Sequence, residues 1–139
     1  MIEDIKRHLE NNCPVLLEKK LNVNCLGEKA GSVIIKTLPH KEVIKKYADG
    51  GTLKQYLFEI CLRTSFDADF NENTQIAVFM ENLKNWFLDK KSVEKITLSD
   101  KNCIPIEFEV VKTHGISNRD RSGAQHTVMV RFIYEQEVV

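Results

Sequence analysis

The sequence has none of the short spacings that usually mark a metal, phosphate or nucleophile site. Its 4 cysteines and 4 histidines include no Cys-x-x-Cys or His-x-x-x-His pattern, so a metal site is not expected. Gly50 and Gly51 are not followed directly by the lysine and helix of a phosphate-binding loop, and Gly-x-Ser-x-Gly does not occur. We therefore expect no catalytic residue, no metal and no cofactor.

Long apolar runs and an excess of one charge are also missing. No apolar run approaches the ~18 residues of a transmembrane helix, and the first residues carry no apolar core of an export signal. Lysine plus arginine equals aspartate plus glutamate at 20 each, whereas a domain that binds duplex nucleic acid usually carries a basic excess. We expect neither membrane insertion nor specific nucleic-acid binding.

The cysteines indicate a reducing compartment. Cys13, Cys25, Cys61 and Cys103 are widely scattered, and without an export signal this favours reduced, buried thiols over a disulfide framework. The expected location is therefore a cytoplasm. The 139 residues fit one domain, 1–139, which can bury roughly two-thirds of its unfolded surface without a disulfide or a metal.

Two long stretches of alternating residues are the most informative feature that is present. From Ala124 to Glu137 one parity is mainly apolar and the other is mixed, which predicts a strand about twice the usual length. The stretch Thr52–Phe66 alternates in the same way and is long enough to be its partner. The apolar parities are His126, Val128, Val130, Phe132 and Tyr134 in the terminal stretch, and Tyr56, Phe58, Ile60 and Leu62 in the other.

Helical spacing of apolar residues predicts two helices, one at the N-terminus over Ile2–Asn11 and a main one over Thr74–Lys90. The main helix has the clearer apolar stripe, which consists of Ile76, Phe79, Met80, Leu83 and Phe87. We expect this stripe to pack across one face of the sheet through Phe79, Leu83 and Phe87, because each buried Phe or Leu contributes roughly 1.5–3 kcal/mol.

The remaining segments complete an α+β fold with a mainly antiparallel sheet, the helix at about 74–90 on one face, and the N-terminal helix. Shorter strands are predicted at Ser32–Leu38, Lys41–Ala48 and Ile104–Lys112. Asp49-Gly50-Gly51 predicts a tight turn before Thr52, because glycine reaches positive φ without steric cost. His114–Gly123 is polar and bounded by glycine, which predicts a loop before the terminal strand.

Polar residues on the predicted strands are the candidates for chemistry. Glu59, Glu107 and Glu109 lie on polar parities, where paired carboxylates can do acid–base work, although we interpret them as the wet face of an antiparallel sheet. Arg131 is placed to pair with one of them across the sheet. Cys61 with a distant histidine is a nucleophile candidate, and a buried strand cysteine is the alternative we prefer.

The predicted loop supplies further candidate contacts. Loops at the ends of long strands often carry binding residues, and the aspartate in Arg-Asp-Arg argues against a dedicated phosphate clamp. The full set of candidate contacts to copies of the chain or to partner proteins is Ser117, Asn118, Arg119, Asp120, Arg121, Glu59, Glu107 and Arg131.

Several segments together resemble one family of phage proteins. They are Gly50–Glu59, the helix end Leu83–Phe87, the strand Ile106–Val110 and the closing Val130–Glu137. In layout and length the chain resembles the small tail terminator proteins of long-tailed phages and prophages of Gram-positive bacteria, which are also labelled minor capsid or tail completion proteins. The resemblance covers about residues 40 to 137.

The resemblance implies an α+β subunit without an active site that forms a ring, typically a hexamer, on the head-proximal end of the tail tube. Such a ring stops tube growth and joins the tail to the head. The implied partners are copies of the chain, the tail tube protein and the head–tail connector protein. The implied locations are the host bacterial cytoplasm during assembly and the virion tail.

Three alternatives stay open at this stage. The first is another head–tail joining component, such as a connector stopper. The second is a small α+β ligand-binding domain or enzyme that uses Glu59, Glu107 or Cys61. The third and weakest is a nucleic-acid binder, which strongly salt-dependent DNA binding would support.

Overall fold

The chain folds into one sheet whose helices pack on the same face. The structure, a computed structural model, describes residues 1–16, 21–23, 33–64, 70–120 and 123–138. Within its helices and strands, the side chains at 21–23, 63–64, 70–73, 113–120 and 123–125 lie outside this description.

Apart from a short strand at Leu21–Val23, which the predicted order does not include, the helices and strands follow the predicted order along the chain. The helices are α1, Ile2–Asn12, and α2, Phe70–Leu88, with short 3-10 turns at Pro14–Leu16 and Lys90–Val93. The strands are β1 Leu21–Val23, β2 Val33–Thr37, β3 Val43–Lys46, β4 Thr52–Thr64, β5 Cys103–Asp120 and β6 Gly123–Gln136. The main helix therefore begins before the predicted Thr74 and ends before Lys90.

The sheet has the strand order β1-β2-β4-β6-β5, and β3 pairs with β4 beside β2. β1 pairs with β2 in parallel, and the other pairings between described strands are antiparallel. The β4–β6 ladder runs from Thr52↔Gln136 to Thr64↔Ala124 without a register shift. The two long alternating stretches are neighbours, as predicted, and the α+β class with a mainly antiparallel sheet is confirmed.

The core lies between the helices and the apolar parity of the long strands. Phe58 of β4 is 0% exposed and Phe108 of β5 is 7% exposed. The ring centroid of Phe87 in α2 lies 6.1 Å from that of Phe58 and 5.2 Å from that of Phe108. Leu83 is fully buried, and Phe79 packs against the core while partly exposed. The predicted stripe of the main helix therefore does pack on the sheet.

Two buried polar side chains attach α1 to the segment after α2. Asp4 accepts hydrogen bonds from Ser99 Oγ at 2.6 Å and from the Ser99 backbone N–H at 3.2 Å, and Arg7 pairs with it at 2.6 Å. His8 Nε2 lies 2.5 Å from the carbonyl oxygen of Ser92. Because buried polar groups are costly without partners, these bonds specify where α1 sits on the sheet.

The turn between β3 and β4 forms where the glycines predict it. The backbone N–H of Tyr47 donates to Gly51 O at 2.8 Å, and Gly50 N–H donates to Tyr47 O at 3.1 Å. Gly50 has a φ of 94°, a conformation that side chains with a Cβ rarely adopt. The Asp49 carboxylate accepts from the Gly51 N–H at 2.9 Å and closes the turn. The predicted tight turn is confirmed.

The predicted loop at His114–Gly123 is wrong. β5 continues to Asp120 and β6 begins at Gly123, with the ladder extended by the pairs Asn118↔Gln125 and Asp120↔Gly123. Backbone hydrogen bonds between paired strands do not require apolar side chains, so polar composition alone does not end a strand. Only residues 121 and 122 remain between the strands, and they lie outside the described residues.

Candidate assembly surface

Each long strand has a second face whose residues do not join the helix-packed core. Strand register aligns these residues in rows across the sheet, with Leu57 opposite Arg131 and Arg131 opposite Glu109. This surface is termed the open face. Its partly or fully exposed members in the described part of the chain are Leu53, Gln55, Leu57 and Glu59 of β4, Ile104, Glu107 and Glu109 of β5, and Met129, Arg131, Ile133 and Glu135 of β6, whereas Cys61 and Thr127 of the same parity are buried.

Apolar side chains at the centre of the open face keep part of their surface exposed. Leu57, Met129 and Ile133 are half-buried, whereas Phe58 and Phe132 on the helix side of the same strands are 0% exposed. Contiguous exposed apolar area rimmed by polar residues is typical of protein contact sites. The open face therefore has the composition of an interface.

Arg131 is the polar centre of the open face. Its Nη2 donates to Glu109 Oε1 at 2.9 Å, and its Nη1 donates to Gln55 Oε1 at 3.2 Å. The predicted ion pair across the sheet is confirmed, with Glu109 as the partner. Because both side chains are partly exposed, the pair contributes only about 0–1 kcal/mol to stability. Its structural effect is to orient the guanidinium across β4, β6 and β5.

Glu59 and Cys61 are close on one side of β4, but their electrostatics do not favour a nucleophile. Cys61 Sγ donates to Glu59 Oε1 at 3.5 Å. Burial, together with the charge and hydrogen bond of Glu59, raises the pKa of the Cys61 thiol to about 12. Since the thiolate is the reactive form, Cys61 is held in its unreactive state at neutral pH.

The structure brings part of the predicted contact set together. Glu59, Glu107 and Arg131 all lie on the open face. The backbone of Ser117–Asp120 lies in β5, near the end of the β5–β6 ladder, and its side chains are outside the description. Arg121 lies outside the described residues altogether. That these residues contact a partner stays a prediction.

His8 is a buried histidine that the helical pattern did not single out. Burial lowers the pKa of His8, so its neutral ring donates from Nε2 to the Ser92 carbonyl. Its Nδ1 then accepts from the Asn12 side-chain amide at 3.2 Å. The ring borders a cleft of about 270 Å³ that Trp86 and Lys91 also line. With both ring nitrogens bonded, His8 has no free nitrogen for a metal or for proton transfer.

Neither a metal-binding cluster nor a membrane-spanning helix occurs in the part of the chain that the structure describes. There, no group of three or more His, Cys, Asp or Glu side chains is placed to hold a metal ion. No helix in the same ranges combines the length and apolar character needed to cross a bilayer.

Comparison with known proteins gives a likeness in structure but no matching family. No protein-family model matches the chain, and no curated protein matches it. Among solved structures, the chain is similar to one described as "Structure of bacteriophage SPP1 gp17 protein", with 15% sequence identity and a TM-score of 0.41. The match covers 94% of this chain and 85% of that one. Values this low establish neither a family nor a function for this chain.

Proposed function

We propose that this protein is a tail terminator of a phage or prophage. In this role it is a structural protein and not an enzyme. It forms a ring on the head-proximal end of the tail tube, stops tube growth and joins the tail to the head connector. The observation that carries the proposal is the open face, where half-buried apolar residues surround Arg131 on a sheet of unusually long strands.

The shape of the open face suits a protein partner. β4 alone has 13 residues, which corresponds to about 44 Å at ~3.4 Å per residue. Small ligands bind in concave pockets, whereas stable protein interfaces need a broad surface of roughly 800 Å² on each partner. The part of this face that stays partly exposed runs over Leu53–Glu59 of β4 and spans three strands, which favours docking to another protein over binding a metabolite.

The resemblance of Gly50–Glu59 and Val130–Glu137 to the tail terminator family supports the choice of partners. These are further copies of the chain, the tail tube protein and the head–tail connector protein, met in the bacterial cytoplasm and retained in the virion tail. The formal net charge of +0 also limits repulsion as copies crowd together.

The candidate catalytic groups do not favour the enzyme alternative. Catalytic residues usually sit in clefts with their pKa tuned for proton or electron-pair transfer. Cys61 is instead kept as a thiol, and both ring nitrogens of His8 are occupied. Glu107 is exposed on the surface of the outermost strand. Binding without bond making or breaking is the proposed mechanism.

Tail assembly in the phage or prophage that encodes the chain tests the function. Without the protein, we expect tails of abnormal length that fail to join heads, and complementation should restore both properties. Electron microscopy of tails purified without heads should show the protein at the head-proximal end. Its presence on heads that lack tails would favour the connector stopper. Normal tails in its absence would contradict both roles.

A pair of matched variants tests the surface. Leu57→Asp places a charge on the open face, and Val78→Asp places the same charge on α2, where Val78 is 53% exposed. We expect Leu57→Asp to abolish complementation while its thermal unfolding stays cooperative, and Val78→Asp to complement. The reverse pattern would place the assembly surface on the helix side of the sheet.

A further inference from the structure

β3 and the first half of β5, which lie on opposite sides of the sheet, expose similar apolar side chains but opposite charges. On the β3 edge, Ile44 is 44% exposed and is followed by exposed Lys45. On the β5 edge, Ile104 and Ile106 are 42% and 40% exposed and are followed by exposed Glu107. Large apolar side chains at this exposure on both edges are suited to contact with another protein.

Each of these two strands also has backbone N–H and C=O groups on its outer side that pair with no other described strand. Among the strands that the structure describes, β3 pairs only with β4, and β5 pairs only with β6. The outer N–H and C=O groups of an edge strand bond either to water or to another chain.

Bulges interrupt both edges at the exposed isoleucines. The β3 register shifts between Val43 and Lys45, and the β5 register shifts between Pro105 and Glu107. A bulge leaves one residue unpaired and twists the edge, which discourages indiscriminate pairing with any available strand. Association at these edges must therefore be selected by side chains.

The charges on β3 and on the first half of β5 are each of one sign. β3 carries only Lys45 and Lys46, and neither makes an ion pair within the described residues. The first half of β5 carries only Glu107 and Glu109. Arg131 holds Glu109, whereas Glu107 has no ion pair in the same described ranges. Unpaired basic groups thus lie on one edge and an unpaired acidic group on the other.

The two edges are level with each other across the sheet. Lys45 is opposite Leu53, Leu53 is opposite Glu135, and Glu135 is opposite Ile104. Following the antiparallel pairs from β3 through β4 and β6 shows that β3 and β5 run in opposite directions. The outer strands are about 14 Å apart at ~4.8 Å per strand, so they cannot meet within one copy.

We propose that copies of this chain associate head to tail through these edges, with β3 of one copy antiparallel to β5 of the next. Ile44 then packs on Ile104 and Ile106. Lys45 faces Glu107, which is about two residues or ~7 Å farther along the strand and within reach of a lysine side chain. Because the contact joins two different patches, it repeats from copy to copy and closes a ring or grows a filament. This inference rests on the proposed self-assembly.

Charge reversal with mutual rescue tests the inference. Lys45→Glu and Glu107→Lys should each weaken self-association at least about tenfold in sedimentation velocity, because like charges then meet at every contact. Mixed in equal amounts, the two variants should associate like the wild type, since alternating copies place opposite charges at every contact. The matched controls Lys95→Glu and Glu94→Lys, both exposed and outside β3 and β5, should associate normally.

Rescue by mixing separates this geometry from a symmetric one. If two β5 edges met each other, Lys45→Glu would leave self-association unchanged. In the mixture, the Lys45→Glu variant would then rescue Glu107→Lys no better than wild-type protein does. Variants that fold, lose association and are not rescued on mixing overturn the inference. Charge-reversed variants that associate like the wild type also overturn the inference.

Carbodiimide coupling gives an independent readout, because it joins a lysine amine to a carboxylate that contacts it. In a mixture of ¹⁴N- and ¹⁵N-labelled wild-type protein, we expect mixed-isotope crosslinks between Lys45 or Lys46 and Glu107. Their absence, in free protein at about millimolar concentration and on purified tails, overturns the inference. The proposed function can survive that result: normal complementation by Lys45→Glu would show that the ring closes through other surfaces.

Discussion

Replacing Leu83 by alanine tests where α2 sits on the sheet. Leu83 is 0% exposed and lies in the buried cluster that α2 shares with the long strands. Truncating a leucine at such a position removes apolar contacts and leaves a cavity, which costs about 2–5 kcal/mol depending on how far the site can collapse. Since Phe87, one helical turn away, is also 1% exposed and in contact with two strand phenylalanines, we expect limited collapse and a cost in the upper half of that range.

The same helix offers a matched control. Leu88→Ala removes the same atoms from a side chain that is 56% exposed, so its cost should stay within about 0.5 kcal/mol. Urea unfolding measures both values. Trp86, the single tryptophan, reports the transition by fluorescence because its ring lies 5.0 Å from Phe87 and 6.1 Å from Phe108. Circular dichroism should give a coincident transition if unfolding is two-state.

Thermal unfolding should give the same ranking. For a chain of 139 residues with an unfolding entropy of about 2.1 cal/mol/K per residue, each kcal/mol lowers Tm by about 3–4 °C. The expected loss for Leu83→Ala is therefore about 12–17 °C, against less than about 2 °C for Leu88→Ala. Equal effects of the two substitutions, or a cost near zero at Leu83, would refute the placement of the helix.

Three further predictions concern groups that the fold buries. Burial lowers the pKa of His8, so the unfolded chain binds the His8 proton more readily than the folded chain does. The free energy of unfolding should therefore fall as the pH drops below about 6.5. In His8→Gln, the midpoint of urea unfolding should depend less on pH between about pH 7 and pH 5. If the substitution leaves the pH dependence of the urea midpoint unchanged, that dependence belongs to another titrating group. Ser99→Ala should cost about 1–3 kcal/mol in urea unfolding, because Asp4 at 5% exposure loses the Oγ hydrogen bond, and a cost near zero would mean that this bond does not anchor α1. Iodoacetamide should modify the half-buried Cys103 before Cys61, whose pKa is raised to about 12; peptide mapping that found Cys61 modified first would contradict its burial.

Pairing of the long strands was predictable because residue parity and length act together. Phe58 and Phe132 fall on apolar parities of similar length, and a slip of one residue would turn one of the two rows away from the helices. The α2 stripe and the turn at Gly50 were predictable for equally local reasons, helical spacing and a positive φ.

Composition misled the prediction at the end of β5. Ser117–Asp120 reads as a loop, yet the backbone of Asn118–Asp120 pairs with β6 and continues the ladder, because an already paired strand extends its partner at little cost. The ion-pair partner of Arg131 could not be predicted from the sequence either. Glu59, Glu107 and Glu109 all share its face, and only the register of β5 puts Glu109 directly opposite.

The sequence alone determined the class of fold, the two long strands, the main helix and its buried stripe, because periodicity and turn chemistry are local properties of the chain. Tertiary structure decided which surfaces remain for partners. Lys45 and Glu107 are far apart in sequence, and only the strand order places them on opposite sides of one sheet, about two residues apart along the strands. Strand order depends on which distant segments pair, and no local pattern of residues encodes that choice.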